Sequence, residues 1–268
     1  MIRRRVDDCF CLIAQHEHAL LSGRLAAHYG NSRFERPKPL AEVVEAVSMH
    51  DCGWQEYDRR PALNPSGYPY DVFETPLGIA LRAWARAGEM LAEAPTYARL
   101  LVSLHVMGLS GFAAQNIRTR RAEFDINRFQ HAEAERQETL RRQLSMRLDV
   151  PLKLGLAVVP EIAEEEQLRR NHNTLQAMDR LSLVMCCAQT PFSQIEGIVP
   201  REGARAMTLQ FTRTAPWSMK VEPWPFDQEE IRLVVNARTV EAREYQAEEF
   251  QEAYEQASEE AIHLRVHS

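Results

Sequence analysis

Apolar residues recur every three or four positions along most of the chain, which is the period of an amphipathic helix. Polar residues, glycines and prolines bound these stretches. The pattern predicts helices over residues 16–29, 39–50, 76–93, 96–114, 127–148 and 161–189. The interval from Cys52 to Thr75 contains three prolines and is predicted to be a loop. A loop of that length in a compact domain often forms the wall of a site.

Strict alternation of apolar and polar residues, the period of a strand, marks both ends of the chain. Residues 1–14 are predicted to form a β-hairpin with Asp7 and Asp8 in its turn. From about residue 195 the chain is predicted to form strands and one acidic helix, in the segments AMTLQFTR, WSMKVEPWPF, IRLVVNART and TVEAREYQ, the helix at 246–260 and a last strand IHLRVH.

These elements predict a mainly α fold with a small antiparallel sheet. The helical core would span 15–190, and the β-rich C-terminal part would span 195–268 and be joined by the 1–14 hairpin. Because the hairpin can pair with the C-terminal strands, both chain ends would be held together, and we expect a single domain over 1–268. An exposed edge of this sheet could also pair two copies into a homodimer.

Composition narrows the function classes. The formal net charge of the 268 residues is -6, which gives no general attraction to nucleic acid. No apolar run reaches the ~18 residues of a membrane span, and the stretch after the first arginines is too short and too acidic for a signal peptide. The five cysteines are odd in number and match no disulfide framework. We therefore expect a soluble cytoplasmic protein that binds neither nucleic acid nor membrane.

Five histidine and aspartate residues interrupt or end the apolar stripes of four predicted helices. They are His18, His50, Asp51, His105 and Asp179. Residues three, four and seven positions apart share one face of a helix, so these side chains are expected to point toward the core. The spacing predicts that they meet in a single buried pocket.

Asp179 lies one helical turn from both Leu175 and Leu183. Burying an unpaired carboxylate costs several kcal/mol or more, so this residue needs a partner. A divalent cation shared with imidazoles would provide one, and this donor set suits Zn²⁺, Mn²⁺ and Fe²⁺. An arginine partner for Asp179, with the histidines as ordinary hydrogen-bonded core residues, is the alternative.

The order His, then His-Asp, then Asp on successive helices resembles the HD-domain superfamily of metal-dependent phosphohydrolases. The chain resembles still more closely a bacterial HD-like family of unknown function. The matching pieces are QHEHA at 15–19, HDCGW at 50–54 with Asp58 and Pro61 after it, SLH at 103–105, DRLSLVMC at 179–186 and PWPF at 223–226.

The resemblance implies metal ligation by four of these residues, namely His18, His50, Asp51 and Asp179. The metal would be Mn, Fe, Zn or Mg. His105 would correspond to the extra histidines that in some members hold a second metal or contact substrate phosphate, so it joins the ligand set. Asp51 and His105 would also handle protons in catalysis.

The segment after the His-Asp pair is expected to line the mouth of the pocket. Trp54, Tyr57 and Asp58 would then contact the substrate, although a plain loop-surface role for Tyr57 and Asp58 fits the sequence equally well. Many active phosphohydrolases of this type have lysine or histidine just after this turn. Trp54 can stack on a ligand but supplies no positive charge.

These features favour a hydrolase that acts on a small phosphorylated compound through a metal-activated water. Two other functions stay open. One is a non-catalytic module that binds a metal and a small ligand, and the other is a di-iron oxygenase of the HD type.

Overall fold

The chain begins with a hairpin in the computed structural model, which describes residues 1–147 and 160–268. Strand β1 (Ile2–Val6) pairs antiparallel with β2 (Cys9–Ile13). Asp7 in the turn has a φ of 53°, a left-handed conformation that aspartate adopts more readily than most residues. Because β2 pairs onward with a strand near the C-terminus, the hairpin belongs to the main sheet.

Helices occupy the middle of the chain. They are α1 (Gln15–His28), α2 (Leu40–Met49), α3 (Gln55–Arg59), α4 (Leu77–Met90), α5 (Thr96–Ala114), α6 (Arg120–Arg147) and α7 (Pro160–Cys186). A 3-10 turn at Cys52–Trp54 joins α2 to α3. Helix α1 packs against α2 and α7, and α5 also packs against both. The four helices α1, α2, α5 and α7 therefore meet in the interior.

The remaining strands follow α7, with a last helix between the final two strands. They are β3 (Gln194–Ile198), β4 (Met207–Ala215), β5 (Ser218–Glu222), β6 (Glu230–Glu241), helix α8 (Ala247–Gln256) and β7 (Glu259–His267). The sheet order is β1-β2-β6-β7-β5-β4-β3. All pairs are antiparallel except β5 with β7. The seven strands curl into a half-barrel.

The predicted fold class is wrong. The chain is 49% helical and 22% strand, so it is a mixed α/β protein with a large sheet and not a mainly α protein with a small one. The pattern identifies single strands and allows the hairpin to join them, but it does not show that seven strands form one large curled sheet. Strand β3 was missed because it is short and contains Gly197.

Several predicted boundaries also differ from the structure. Helix α6 begins at Arg120 and not at 127, and its predicted end at 148 lies outside the described residues. The segment TVEAREYQ is not a separate strand, since its first residues complete β6 and the rest leads into α8.

Within the described ranges, one helix, α5, is long and apolar enough to cross a membrane by length and composition alone. It packs against α2, α4, α6 and α7 and contributes Leu100, Leu101 and Val102 to the hydrophobic core. These surroundings are those of a core helix in a globular protein.

Gly53 permits the close approach of the 3-10 turn to α4. A Cβ atom at this position would lie 2.0 Å from the Ala83 carbonyl oxygen and 2.6 Å from the Ala87 nitrogen. Both are backbone atoms of a helix and cannot move aside cheaply. Gly53 therefore fixes the path of the chain immediately after His50 and Asp51.

We expect Gly53→Ala to lower the free energy of unfolding by roughly 1–3 kcal/mol, because the added methyl group overpacks a backbone contact. Chemical denaturation measures this change. Gly111→Ala in α5 is the matched control: its Cβ would meet nothing within 4 Å, and alanine should stabilise the helix by roughly 0.5–1 kcal/mol. Equal effects of the two substitutions would contradict the explanation.

Candidate metal centre

The structure brings the five predicted residues together. His18 comes from α1, His50 and Asp51 from the end of α2, His105 from α5 and Asp179 from α7. None of them is more than 7% exposed. The same apolar stripes that predict inward-facing positions carry them into the interior, where the four helices meet.

Two histidines and one aspartate form a buried group that could hold a metal ion. His18, His50 and Asp179 each offer one ligand atom within 4.8 Å of the others. Asp179 Oδ1 lies 3.4 Å from His50 Nε2 and 3.9 Å from His18 Nε2. Asp179 Oδ1 and His50 Nε2 do not form a well-aligned hydrogen bond, because His50 Nε2 has no hydrogen-bond partner within the described chain.

Asp51 and His105 lie beside this group. Asp51 Oδ2 is 2.8 Å from His18 Nε2 and 3.7 Å from His50 Nε2. His105 Nε2 is 3.9 Å from Asp179 Oδ2, and its ring stands edge-on to that of His50. Five donor side chains thus surround one small volume.

Hydrogen bonds on the far side of two imidazoles fix their orientation. His50 Nδ1 donates to the Val47 carbonyl at 2.7 Å. Ser182 Oγ donates to the Asp179 carbonyl at 2.8 Å, so it accepts the proton of His18 Nδ1, which is also 2.8 Å away. Both Nε2 atoms are therefore directed at the two carboxylates, and His18 Nε2 donates a hydrogen bond to Asp51 Oδ2. Hydrogen bonds on the far ring nitrogen also orient histidines that bind metals.

Sequence reasoning missed Ser182. The available signal was its spacing, because a residue three positions after Asp179 lies on the same face of α7. His172 lies two turns before Asp179. It is partly buried, its Nε2 has no partner in the described chain, and burial lowers its pKa to about 4.

Two carboxylates and the histidines determine the electrostatics of the centre. Within the described residues, neither lysine nor arginine forms a hydrogen bond or ion pair with any of the five side chains. Burial by itself would lower the pKa of His50, but Asp51 and Asp179 outweigh it and raise the value to about 9. Burial would raise the pKa values of the two carboxyls, but the neighbouring histidines lower both.

The pKa of His105 is shifted in the opposite direction to that of His50. Burial lowers its pKa to about 4, and the nearby Asp179 only partly opposes this effect. At neutral pH His105 is therefore a neutral imidazole, which can bind a cation or exchange a proton.

Two histidines of the centre have a buried ring nitrogen without a partner in the part of the chain that the structure describes, His50 Nε2 and His105 Nδ1. His16 Nδ1, on the first turn of α1, is also buried without a partner. His16 is close enough to Asp51 for that charge to act on it. A buried polar atom without a partner is costly, and such a cluster indicates that a cation, water or ligand belongs there.

The residues expected at the mouth of the pocket have other surroundings. Trp54 is buried in an apolar cluster with Trp84, Val106 and Phe129, and Tyr57 packs edge-on against it at 5.8 Å. The aromatic rings thus stabilise the packing of the 3-10 turn.

Asp58 fastens the same segment to α1. Ala14 precedes α1 and offers no capping side chain, and Asp58 Oδ2 instead accepts the backbone N–H of Gln15 at 2.8 Å. Asp58 Oδ1 lies 3.2 Å from the α-amino group of Met1. The turn that carries Asp51 is therefore joined to the helix that carries His18.

We expect Ser182→Ala to weaken Zn²⁺ or Mn²⁺ binding by about 10-fold, because outer-sphere partners of metal-binding histidines have effects of this size. Competition with a chromophoric chelator measures the affinity. Ser110→Ala is the control. Ser110 is also fully buried, but it lies on α5 and is not one of the residues of the centre, so its substitution should leave the affinity unchanged. Equal losses in both variants would mean that Ser182 affects only folding.

No curated protein and no solved structure matches the chain. A family described as "Protein of unknown function (DUF3891)" matches residues 1–242. Nothing in this match links the chain to the HD-domain superfamily, and the expectation of an all-α HD-domain protein is corrected to a mixed α/β protein. Because the match covers most of its length, the chain belongs to the DUF3891 family.

Proposed function

We propose that this protein binds a divalent metal ion at its buried centre and hydrolyses a small phosphorylated compound there. The observation that carries the proposal is the group formed by His18, His50 and Asp179, with two Nε2 atoms oriented inward by hydrogen bonds to Val47 and Ser182.

Charge favours a divalent ion. Asp51 and Asp179 bring two negative charges into a volume that no described lysine or arginine contacts. Without a metal ion the histidines must take up protons to balance these charges, which agrees with the raised pKa of His50, whereas an ion of charge two neutralises both carboxylates. Mixed imidazole and carboxylate donors suit Zn²⁺, Mn²⁺ and Fe²⁺ better than Mg²⁺, which prefers oxygen ligands.

Some residues of the centre would bind the metal, and another would transfer protons. His18, His50 and Asp179 would hold the metal, with Asp51 completing the ligand set. When bound, a divalent metal lowers the pKa of a water and polarises a phosphoryl oxygen. Neutral His105 can accept a proton at Nδ1, which has no partner among the described residues. Burial of the whole group keeps bulk water out.

One observation favours a second candidate, a non-catalytic module that binds a metal and a ligand. All five residues are nearly enclosed, and Trp54, which follows the His-Asp pair, packs into an apolar cluster and supplies no positive charge. Such a protein would hold its ligand at the same centre without turnover.

We expect the intracellular setting of such a protein to be the cytoplasm, because all five cysteines are free thiols. Its partner would be a small molecule.

Purification without chelators, followed by elemental analysis, should give about one divalent metal ion per chain. Asp179→Asn and His50→Ala should each lower the metal content by about 10-fold or more, since each removes a ligand or its charge. His131→Ala is the control, because that exposed histidine of α6 pairs only with Glu135 among the described residues. Unchanged metal content in the double variant at His50 and Asp179 would refute the metal centre.

A screen of p-nitrophenyl phosphate and bis(p-nitrophenyl) phosphate with Mn²⁺, Fe²⁺, Zn²⁺ or Mg²⁺ tests the chemistry. We expect metal-dependent turnover that falls by about 100-fold in His105→Ala, a loss typical of a missing general acid or base. Bound metal without turnover of either compound would instead support the binding module. Two irons per chain would point to the oxygenase.

A further inference from the structure

Ser22 on α1 belongs to a hydrogen-bond network behind His18. Its hydroxyl oxygen lies 2.7 Å from Ser182 Oγ and 2.9 Å from the carbonyl oxygen of His18. Ser182 Oγ also lies 2.8 Å from His18 Nδ1 and 2.8 Å from the Asp179 carbonyl oxygen. Both serines are fully buried. Three groups therefore meet at the hydroxyl of Ser182, away from solvent.

The number of available protons determines the direction of these bonds. The two carbonyl oxygens can only accept, and each serine hydroxyl has one proton to donate. Two hydroxyl protons cannot serve four contacts, so the proton on His18 Nδ1 supplies a third hydrogen bond. Ser182 then donates to Asp179 and accepts from His18 and from Ser22, whose shorter contact is with Ser182. All three hydrogen-bonding positions of the Ser182 hydroxyl are thereby occupied.

His18 and Ser22 contact Ser182 from the same helix. They are four positions apart on α1, so their side chains lie one turn apart on one face. A single contact between two helices leaves each of them free to rotate about its axis, whereas two contacts to the same oxygen restrict that rotation. The bond from Ser22 also opposes a change of rotamer at Ser182, because its oxygen would lose three partners at once.

The orientation fixed at Nδ1 determines where the opposite side of the His18 ring points. His18 Nε2 lies 2.8 Å from Asp51 Oδ2 and 3.9 Å from Asp179 Oδ1. Because the imidazole is rigid, a displacement of Ser182 would move Nε2 relative to both carboxylates. Ser22 touches none of these ligand atoms, but it holds the residue that orients one of them.

We propose that Ser22 is a positioning residue of the metal centre, which acts through Ser182 to keep His18 Nε2 directed at the ligand group. The inference rests on the proposed function, because the binding of a divalent ion is taken from there. It adds a second layer to the centre, in which α1 supplies both a ligand and the hydroxyl that stabilises the orientation of that ligand.

The test is a double-mutant cycle in Zn²⁺ affinity, measured on the full chain by competition with a chromophoric chelator. Ser22→Ala should weaken binding by about 5-fold, as expected for the loss of one buried hydrogen bond. Ser182→Ala should weaken it by about 10-fold. The double variant should also lose only about 10-fold, because Ser22 then has nothing left to position, whereas independent effects would multiply to about 50-fold.

The imidazole proton of His18 gives a readout that a loss of stability alone would not change. In the Zn²⁺-loaded protein, nitrogen-15 correlation spectra should show His18 protonated at Nδ1, with a signal that disappears in Ser182→Ala and shifts in Ser22→Ala. Ser48→Ala is the matched control. The Ser48 hydroxyl also donates to a carbonyl four residues earlier, that of Val44, and lies against α1 at Gly23. It has no contact with Ser182, so this substitution should change neither the signal nor the affinity.

Ser22→Cys keeps a side chain of similar shape with a weaker donor, and it replaces Ser22→Ala in the cycle if the alanine variant does not unfold cooperatively. Losses that multiply in the double variant, or an Nδ1 proton signal that does not shift when Ser22 is replaced, would overturn the role of Ser22 and leave the metal centre standing. Wild-type protein that binds no Zn²⁺ would instead refute the proposed function itself.

Discussion

The structure depends on two aspartates buried among histidines, without a lysine or arginine partner in the described chain. Asp51 and Asp179 come from separate helices, and each lies within 4 Å of at least two imidazole nitrogens. Burial raises the cost of both charges, so the surrounding helices must hold the imidazoles in place. The hydrogen bonds to Val47 and Ser182 do this from behind, and they make the centre a property of the whole helical interior.

The segment after Asp51 connects the centre to α4, α1 and α8. Gly53 brings the 3-10 turn against α4, and Asp58 caps α1. The hydroxyl of Tyr254 in α8 then donates to the Asp58 carbonyl at 2.9 Å. Helix α1, the 3-10 turn and α8 are therefore connected through a few contacts.

The sequence predicts the position of the centre better than the architecture around it. Asp179 between two leucines and His50 beside Asp51 are local signals, because helical periodicity determines which face each residue occupies. The sequence allows the hairpin to join the C-terminal strands, but it specifies neither the pairing of β2 with β6 nor the parallel pairing of β5 with β7, because alternation within a strand does not encode its partner. Trp54 illustrates a second limit: its sequence neighbours suggest an open mouth, but α4 and α6 bury it, and only the three-dimensional packing shows this.

The distance in sequence between His18 and Ser182, 164 residues, has a consequence for biosynthesis. A nascent chain on the ribosome carries the imidazoles of α1 and α2 long before α7 has been made. Until then the histidines lack both the serine that orients one of them and the second carboxylate. For the proposed function this means that a metal ion would be bound late in maturation, after the polypeptide has closed a long loop, and that early intermediates would bind it weakly.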